Sequence, residues 1–519
     1  MLAAREGAHL MNFPILSVTL FAPMVGVLLI LAIPRENVKT IRWVGLAFAL
    51  LTLILTAIIW VGVAQQGADE MRYAERYPWI GAFNTWYSLG VDGLSAPMLL
   101  LAALLTTLAM FYSMRTIKTR VKEYYLLFLL LETGLSGVFM ALDMVLFYVF
   151  WEVGLVPMFL LIGVWGGEQG ERAAIKFFLY TLTGSVAMLL AIIGVYLQTG
   201  TFDILEAAMG RPFAGDFTWA CMAFWAFLIA FAVKMAAFPF HTWIADAYGE
   251  APTGAGVMLA GILPKLGAYG LIRLALPLFP GPFRYFVVQI PVIPVLAVTS
   301  IVYGALVCMA QWNLKRLIAY SSVAHMGYVI LGVCAAAAGI GMLDDVNALN
   351  AAAAGLGGAA MQMFTHGIII GGFCFLIGIL RARTRTGDLK ALGGLATQIP
   401  HYYTITMIMG FALLGLPGLG GFWGEFFVFR GTMRFIPIAA FVGVLGLIFS
   451  AAYILWKIVQ HVFLGQLDES RWGQLQDMVW WEKLTTWPLA LITILLGLYP
   501  TPVLDMFNSA LTALIKTLP

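Results

Sequence analysis

The sequence predicts an all-α polytopic membrane protein with about fourteen transmembrane helices. Of its 519 residues, 62% are hydrophobic and only 11% are charged, whereas about 25% of the residues in an ordinary soluble domain are charged. Fourteen apolar stretches are long enough to cross the hydrocarbon core of a bilayer, which takes about 20 residues. Two of these stretches, five spans apart, contain helix-breaking motifs. Together these observations exclude a water-soluble globular protein.

Short connections separate the predicted spans. The spans cover approximately residues 14–33, 41–64, 93–113, 124–142, 144–165, 173–197, 217–247, 254–278, 286–310, 314–338, 355–381, 402–429, 436–464 and 486–511. The run from 124 to 165 would be about 63 Å long as one helix. That is twice the core thickness, so the run must fold back, and Asp143 marks the predicted turn. Residues 1–10 precede the first span and lack the pattern of a cleavable signal peptide.

The helix-breaking motifs predict an internal repeat. Proline deletes a helical hydrogen bond, and irregular backbone is tolerated in a membrane where it is buried in protein or faces a wet cavity. Pro239 interrupts the seventh span after Lys234, and Pro417 interrupts the twelfth span before Glu425. Broken helices in corresponding positions predict two inverted five-helix repeats, although proline and glycine are also simply frequent in membrane helices. The predicted organisation is 1–123 (spans 1–3), 124–278 (first repeat, spans 4–8), 279–464 (second repeat, spans 9–13) and 465–519 (span 14).

The positive charges predict the orientation. Lys and Arg are retained on the cytoplasmic side of a membrane. The loops after odd-numbered spans, counted with Lys457, contain 18 basic residues, and the opposite side, counted with Arg273, contains 9. Both termini should therefore face outward, and Glu425 should lie in the outer half of its span. Two basic residues remain, Lys234 and Lys265, and both lie near the middle of apolar runs.

Ionisable residues at membrane depth are the candidate functional residues. A charge at the centre of a membrane helix costs about 2.5 to 3.5 kcal/mol on insertion scales, so such residues usually face protein or water and mark functional sites. Seven spans each contain one: Glu132, Glu152, Lys234, Lys265, His325, His366 and Glu425. The alternative is a buried ion pair that only fixes helix packing. A pair needs two members, whereas seven groups on seven helices favour a proton relay, with Asp143 and His241 as supporting residues.

Several other classes of site are excluded. The net charge is only +3, and the basic residues form no clustered patch in the sequence. No nucleic-acid binding is therefore predicted. Four cysteines lie far apart without a C-x-x-C pair, which argues against a disulfide framework, a zinc site or an iron–sulfur cluster on this chain alone. The glycines from 418 to 424 lack the strand and helix context of a nucleotide-binding motif, and the histidines lack a metal-binding spacing.

Five motifs carry a family resemblance. They are Pro239 to Trp243 continuing through Glu250 to Thr253, Leu259 to Arg273, Phe150 to Glu152 with Pro157, Leu314 to Ser322 with His325, and Gln362 with His366. Over nearly the whole chain the sequence resembles the antiporter-like subunits of NADH:quinone oxidoreductase, respiratory complex I. Among these it is most similar to the subunit M family, the counterpart of mitochondrial NADH dehydrogenase subunit 4. The resemblance implies a proton pump of fourteen helices in the bacterial inner membrane, coupled to quinone reduction in other subunits.

The resemblance also implies roles for single residues. Glu152 and Lys234 would form an interacting pair, and Lys265 would be the central relay. His325 and His366 would continue the polar axis, and Glu425 would lead to the outer exit. The sequence departs from the usual family pattern at Ala245, Tyr248, Pro264 and Asn313. Pro264 precedes Lys265 directly, so a local distortion of the eighth helix is expected there.

The resemblance implies partners as well. These are the other membrane-arm subunits of complex I, including neighbouring antiporter-like subunits, together with membrane lipid. No cofactor is expected on this chain, since FMN and the iron–sulfur clusters would belong to partner subunits. Three alternatives stay open: a subunit of a multi-subunit Na⁺/H⁺ antiporter, a subunit of a membrane-bound hydrogenase, and a passive membrane scaffold.

Overall fold

The computed structural model describes residues 13–518, which are mostly helical. The predicted extension at residues 1–10 lies outside these residues. The helices are α1 (Ile15–Ala32), α2 (Val38–Gln66), α3 (Ser95–Thr116), α4 (Val121–Met140), α5 (Met144–Val153), α6 (Leu155–Trp165), α7 (Gly170–Thr199), α8 (Ile204–Met209), α9 (Phe217–Met235), α10 (Ile244–Glu250), α11 (Thr253–Gly261), α12 (Leu263–Gly270), α13 (Leu276–Leu278), α14 (Pro280–Arg284), α15 (Val292–Ala310), α16 (Leu314–Gly339), α17 (Val346–Thr384), α18 (Pro400–Leu413), α19 (Gly421–Phe435), α20 (Pro437–Tyr453), α21 (Glu469–Trp472), α22 (Trp480–Leu498) and α23 (Thr501–Lys516). Three segments are π-helical, Leu271–Ala275, Tyr285–Gln289 and Ile454–Phe463. Three are short 3₁₀ turns, Gly81–Phe83, Leu389–Ala391 and Leu395–Thr397.

Within residues 13–518, twelve helical segments are long and apolar enough to cross a membrane. The number becomes thirteen if α22 and α23, which are bent by 70°, form one span. Fourteen spans were predicted. The one that is not among these thirteen is the predicted span 402–429, which is divided into the two shorter helices α18 and α19. Gly415 and Gly418 between them have φ angles of +78° and +92°. These angles suit glycine and do not continue a right-handed helix.

The seventh and eighth predicted spans are also interrupted. Helix α9 ends at Met235, Ala236 has a φ of +56°, and the peptide bond before Pro239 is cis. Helix α10 begins five residues after Pro239, at Ile244. The next span breaks at Ile262, where φ is −122° and ψ is −47°, so that Pro264 stands in the first turn of α12. The expected distortion beside Lys265 is therefore a one-residue interruption within the otherwise continuous span Thr253–Leu278.

A β-hairpin was not anticipated from the sequence. Strands β1 (Arg72–Ile80) and β2 (Thr85–Val91) pair in antiparallel register and connect α2 to α3. The carboxylate of Glu75 on β1 accepts hydrogen bonds from the free backbone amides of Leu16 (2.8 Å) and Ser17 at the start of α1. An acidic group there also complements the positive end of the helix dipole. The hairpin thus anchors the first helix.

Asp143 lies at the turn where the chain folds back between α4 and α5. Its carboxylate accepts hydrogen bonds from the backbone amides of Val145 (2.8 Å) and Leu146 (3.1 Å), which caps α5. The second oxygen accepts from the amide of Trp86 on β2 at 3.1 Å. Asp143 therefore joins the hairpin to the start of the fifth span.

The centre of the molecule is formed by the segment Thr253–Leu278 with α16 and α17. These elements are almost completely buried, whereas α1, α2, α7, α15 and α20 leave much of their apolar surface exposed. In a membrane protein the exposed apolar faces contact lipid, and polar groups face the interior of the bundle. The buried centre is where the ionisable residues meet.

Candidate functional site

Lys265 lies at the break between α11 and α12 and is wholly buried. Its ammonium group donates a hydrogen bond to the carbonyl oxygen of Ala260 at 2.8 Å. In an unbroken helix that carbonyl would accept from the amide four residues later, but residue 264 is proline and has no N–H. The break therefore leaves this carbonyl oxygen free to accept a hydrogen bond from the lysine. That hydrogen bond offsets part of the free-energy cost of burying the ammonium charge.

The second partner of Lys265 is His366 on α17. The distance between the lysine Nζ and the histidine Nδ1 is 2.9 Å. An ammonium group has donors but no acceptor, so when Lys265 is charged, Nδ1 of His366 accepts and the imidazole is neutral. A proton can move from the lysine to the histidine along this hydrogen bond.

His325 on α16 continues the polar contacts. Its ring centroid lies 5.0 Å from that of His366, and its Nδ1 is 2.9 Å from Nε2 of Gln362. The same Nδ1 is 3.5 Å from Oε1 of Glu425 on α19. We call Lys265, His366, His325, Gln362 and Glu425 the central cluster. Four of its members were predicted as site residues, and Gln362 appeared in the sequence only as part of a motif.

Four polar atoms of the central cluster are buried and have no hydrogen-bond partner among residues 13–518. They are Nε2 of His325, Nε2 of His366, Oε1 of Gln362 and Oε1 of Glu425. Buried polar groups in proteins nearly always have a partner, either protein or ordered water. These four atoms are therefore positioned to bind ordered water.

Lys234 lies in the last turn of α9, and only 2% of its surface is exposed. Its ammonium group is 4.7 Å from the ring centroid of Trp151 on α5, a cation–π contact. The expected partner Glu152 forms no ion pair with it within 4 Å, and Oε1 of Glu152 is buried without a hydrogen bond in the described chain. The two side chains are therefore not in direct contact in this structure.

The two helices that contain the lysines, α9 and α12, pack directly against each other. A β-carbon at Gly267 would lie 2.5 Å from the carbonyl oxygen of Phe231. Only glycine permits this approach, because any side chain would collide with the backbone of α9. Lys265 on α12 and Lys234 on α9 lie two and three residues from these contact points.

The supporting residues lie apart from the central cluster. Glu132 on α4 is wholly buried, and neither of its oxygens has a partner in the described part of the chain. His241, in the break between α9 and α10, packs its ring 5.1 Å from that of Tyr303. Asp143 caps α5. The central cluster makes no hydrogen bond to any of the three among residues 13–518.

Two charges were assigned to loops wrongly. Arg273 lies inside the segment Thr253–Leu278, where its guanidinium is buried and 2.6 Å from the carboxylate of Asp92. Lys457 lies in the π-helical segment Ile454–Phe463 and is also buried. Both positions fall within predicted spans, so the signal was present, but the charge count treated them as interfacial. The side assigned to the cytoplasm keeps its excess of basic residues without them.

Metal-ligating residues do not gather in the described chain. Among residues 13–518 there is no group of three His, Cys, Asp or Glu side chains that could hold a metal ion. The four cysteines are free.

The chain is similar to known membrane proteins along nearly all of its length. Residues 141–450 match the sequence model of the family described as NADH:quinone oxidoreductase/Mrp antiporter, TM. A protein of Rickettsia prowazekii named NADH-quinone oxidoreductase subunit M is 38% identical over 506 residues, which cover 96% of this chain and 98% of the relative. A chain of respiratory complex I from Thermus thermophilus, solved with bound NADH, matches with a TM-score of 0.85 and 30% identity, covering 97% of this chain and 100% of that chain. A chain of the Mrp complex from Dietzia sp. matches with a TM-score of 0.79 and 21% identity, over 96% of this chain and 51% of that one. This last likeness concerns the fold alone.

Proposed function

The chain belongs to the NADH:quinone oxidoreductase/Mrp antiporter family, and we propose that it moves protons through the central cluster. It is an antiporter-like, proton-translocating subunit of the membrane arm of NADH:quinone oxidoreductase. It is a multi-pass protein of the bacterial inner membrane and assembles with other subunits of that complex. The residues that carry the proton are the subject of the proposal.

One observation supports the proposed path above all others. Lys265 contacts His366 at 2.9 Å, and His325 lies 3.5 Å from Glu425, all within the buried centre. The two halves meet at the neighbouring imidazole rings, 5.0 Å apart between centroids. The Nε2 atoms of both rings lack a partner among residues 13–518, so a water molecule bound to both would connect the two halves. The proposed order is Lys234, Lys265, His366, His325 and Glu425, then the outer surface.

The energies have the required size. Moving one proton against a membrane potential costs about 2.3 kcal/mol per 100 mV, hence about 4.6 kcal/mol at ~200 mV. A carboxylate and an imidazolium 3.5 Å apart interact by about 5 kcal/mol at an effective dielectric of ~20. Making or breaking one such contact therefore changes the free energy of a proton in the cluster by about the amount that the membrane potential demands.

Glu152 would control the entry of the proton. In this structure Lys234 contacts the Trp151 ring, and Glu152 is not paired with it. When the carboxylate approaches, the charged lysine is stabilised, and when it withdraws, the proton is released toward Lys265. This alternation is the coupling step in the proposal.

The remaining parts of the proposal concern orientation and partners. Both termini face outward, which puts Glu425 in the outer half of its span. Neighbouring antiporter-like subunits and membrane lipid contact the exposed apolar faces. FMN, the iron–sulfur clusters and quinone reduction belong to partner subunits, consistent with four cysteines far apart in the sequence. The oxidoreductase activity is then a property of the assembly.

The test substitutes Lys265 in the complete complex. Lys265→Ala should reduce the protons taken up per NADH oxidised by inverted membrane vesicles, while the subunit still assembles. Lys118→Ala, which removes an exposed lysine between α3 and α4, is the control and should leave the ratio unchanged. A normal ratio in Lys265→Ala would refute the path. A purified complex without flavin and iron–sulfur centres would instead favour an antiporter assembly.

A further inference from the structure

A cluster of cations and aromatic rings lies at the end of α20, away from the central cluster. The ammonium group of Lys457 is 2.9 Å from the ring centroid of Trp312 and 4.2 Å from that of Trp456. The ammonium group of Lys390 is 4.9 Å from the same Trp312 ring. The ring of His461 lies 5.1 Å from that of Trp312. We call these five residues the Trp312 cage.

The cage collects positive charge without an anion. Lys457 is completely buried, and its ammonium group has no hydrogen-bond partner among residues 13–518. No carboxylate of the described chain lies within 4 Å of either lysine. The acidic residues in the adjoining segments are engaged elsewhere: Asp388 accepts from the backbone amide of Lys390 at 3.0 Å, and Asp468 contacts Ser470 and Arg471. Two lysines that share one indole repel each other unless an anion is near.

The surroundings of the cage are those of a lipid-facing helix end. Leu455 and Leu464 are 46% and 48% exposed, and Trp456 itself is 40% exposed. Tryptophan is enriched at the level of the headgroups, where its ring contacts acyl chains and its N–H contacts water. The cage lies on the side that the charge count assigns to the cytoplasm, and basic pockets on that side bind acidic headgroups.

We propose that the Trp312 cage binds the phosphate group of an acidic diacyl phospholipid. Lys390, which is exposed, contacts the phosphate. Lys457 adds a second charge from behind the indole, and the acyl chains lie along Leu455 and Leu464. The exposed apolar surface favours a phospholipid over free phosphate, since free phosphate has nothing to place there. The proposal depends on the proposed orientation only for the choice of leaflet, and not on the proton path.

The experiment maps lipid contacts in the intact complex. The complex is reconstituted in phosphatidylcholine nanodiscs with a small fraction of photoactivatable phosphatidylglycerol, and the crosslinked peptides are identified by mass spectrometry. We expect labelling of residues 454–464. An acidic surface attracts each nearby lysine by about 1 kcal/mol. Lys390→Gln or Lys457→Met should therefore each lower the apparent affinity of the cage for phosphatidylglycerol, read from the labelling of this segment, about 5-fold, and the double variant about 25-fold. Lys118→Gln, which removes another exposed lysine assigned to the same side, should leave labelling of this segment unchanged.

Each other outcome is decisive. Equal labelling by a photoactivatable phosphatidylcholine, or unchanged labelling in the double variant, would overturn the proposal. If inorganic phosphate, at the same concentration as the photoactivatable phosphatidylglycerol, abolished the labelling, the cage would be assigned to free phosphate and the proposal would be wrong. If residues 454–464 of the wild type take no lipid label, a partner subunit covers the cage and the proposal is wrong. Lys390→Gln removes only an exposed side chain, so it decides the question even if variants of buried Lys457 fail to assemble. Since the readout is lipid labelling, it is independent of the result for proton pumping.

Discussion

The contact between His325 and Glu425 allows a quantitative test of the proposed path. The two side chains are 3.5 Å apart and both are buried. Glu425→Gln keeps the size of the side chain and removes its charge. At an effective dielectric of ~20, a protonated His325 then loses about 5 kcal/mol of stabilisation. Each 1.36 kcal/mol corresponds to about a tenfold change in rate, so proton transfer through His325 should slow by roughly 3 × 10³- to 5 × 10³-fold.

The assay measures protons and electrons in the same preparation. Inverted membrane vesicles are supplied with NADH, acidification is followed with a pH-sensitive dye, and NADH oxidation is followed by absorbance. We expect Glu425→Gln to lower the proton-to-electron ratio by the whole share of this subunit, with normal amounts of assembled complex. Glu123→Gln, which removes a surface carboxylate from α4, should retain the wild-type ratio. A wild-type ratio in Glu425→Gln would refute the role of this carboxylate.

Three further predictions follow from other contacts. Trp151→Phe should weaken the cation–π contact that stabilises the protonated form of Lys234, and a loss of about 1 to 2 kcal/mol would lower the affinity of this lysine for the entering proton about 5- to 30-fold and slow proton uptake, read as the initial rate of acidification; an unchanged rate would show that the contact does not matter for uptake. Asp92→Asn leaves the guanidinium of Arg273 buried without a counter-charge, which should destabilise the subunit by about 3 to 5 kcal/mol and lower its thermal unfolding midpoint in the purified complex; an unchanged midpoint would show that this ion pair does not stabilise the subunit. Gly415→Ala combines a φ of +78° with a methyl group directed at the carboxylate of the central cluster; the proton-to-electron ratio should fall, and a normal ratio would mean that the loop adapts.

The sequence was sufficient to locate most of the candidate residues, and the reason is energetic. A charge inside an apolar run is costly. Lys234, Lys265 and Glu425 can therefore be identified from the sequence as isolated ionisable residues within apolar stretches. The same reasoning applied to Arg273 and Lys457 would have placed them inside the protein. They were missed because both lie near the ends of their runs, where long basic side chains commonly reach the membrane surface.

Interactions between distant segments could not be read from hydropathy. The contact between Lys265 and His366 joins residues 101 positions apart, and Asp92 meets Arg273 across 181 positions. Local periodicity identifies a helix and its buried face, but it does not determine which neighbour that face meets or at what height. The β-hairpin was missed for a related reason. Strand β1 is mostly exposed and is held by hydrogen bonds to β2, so it leaves no hydrophobic stretch that hydropathy would detect.

Composition and local pattern by themselves determined that this chain spans a membrane, that proline and glycine interrupt two of its spans, and that costly charges mark its centre. Only the tertiary structure decided the partners of those charges. Pro264 illustrates the division: the sequence indicates a distortion there because proline has no N–H, but only the folded chain shows that Lys265 takes the carbonyl of Ala260 left free by that missing donor. The absence of a donor is a property of one residue, whereas the group that replaces it depends on how the helices pack.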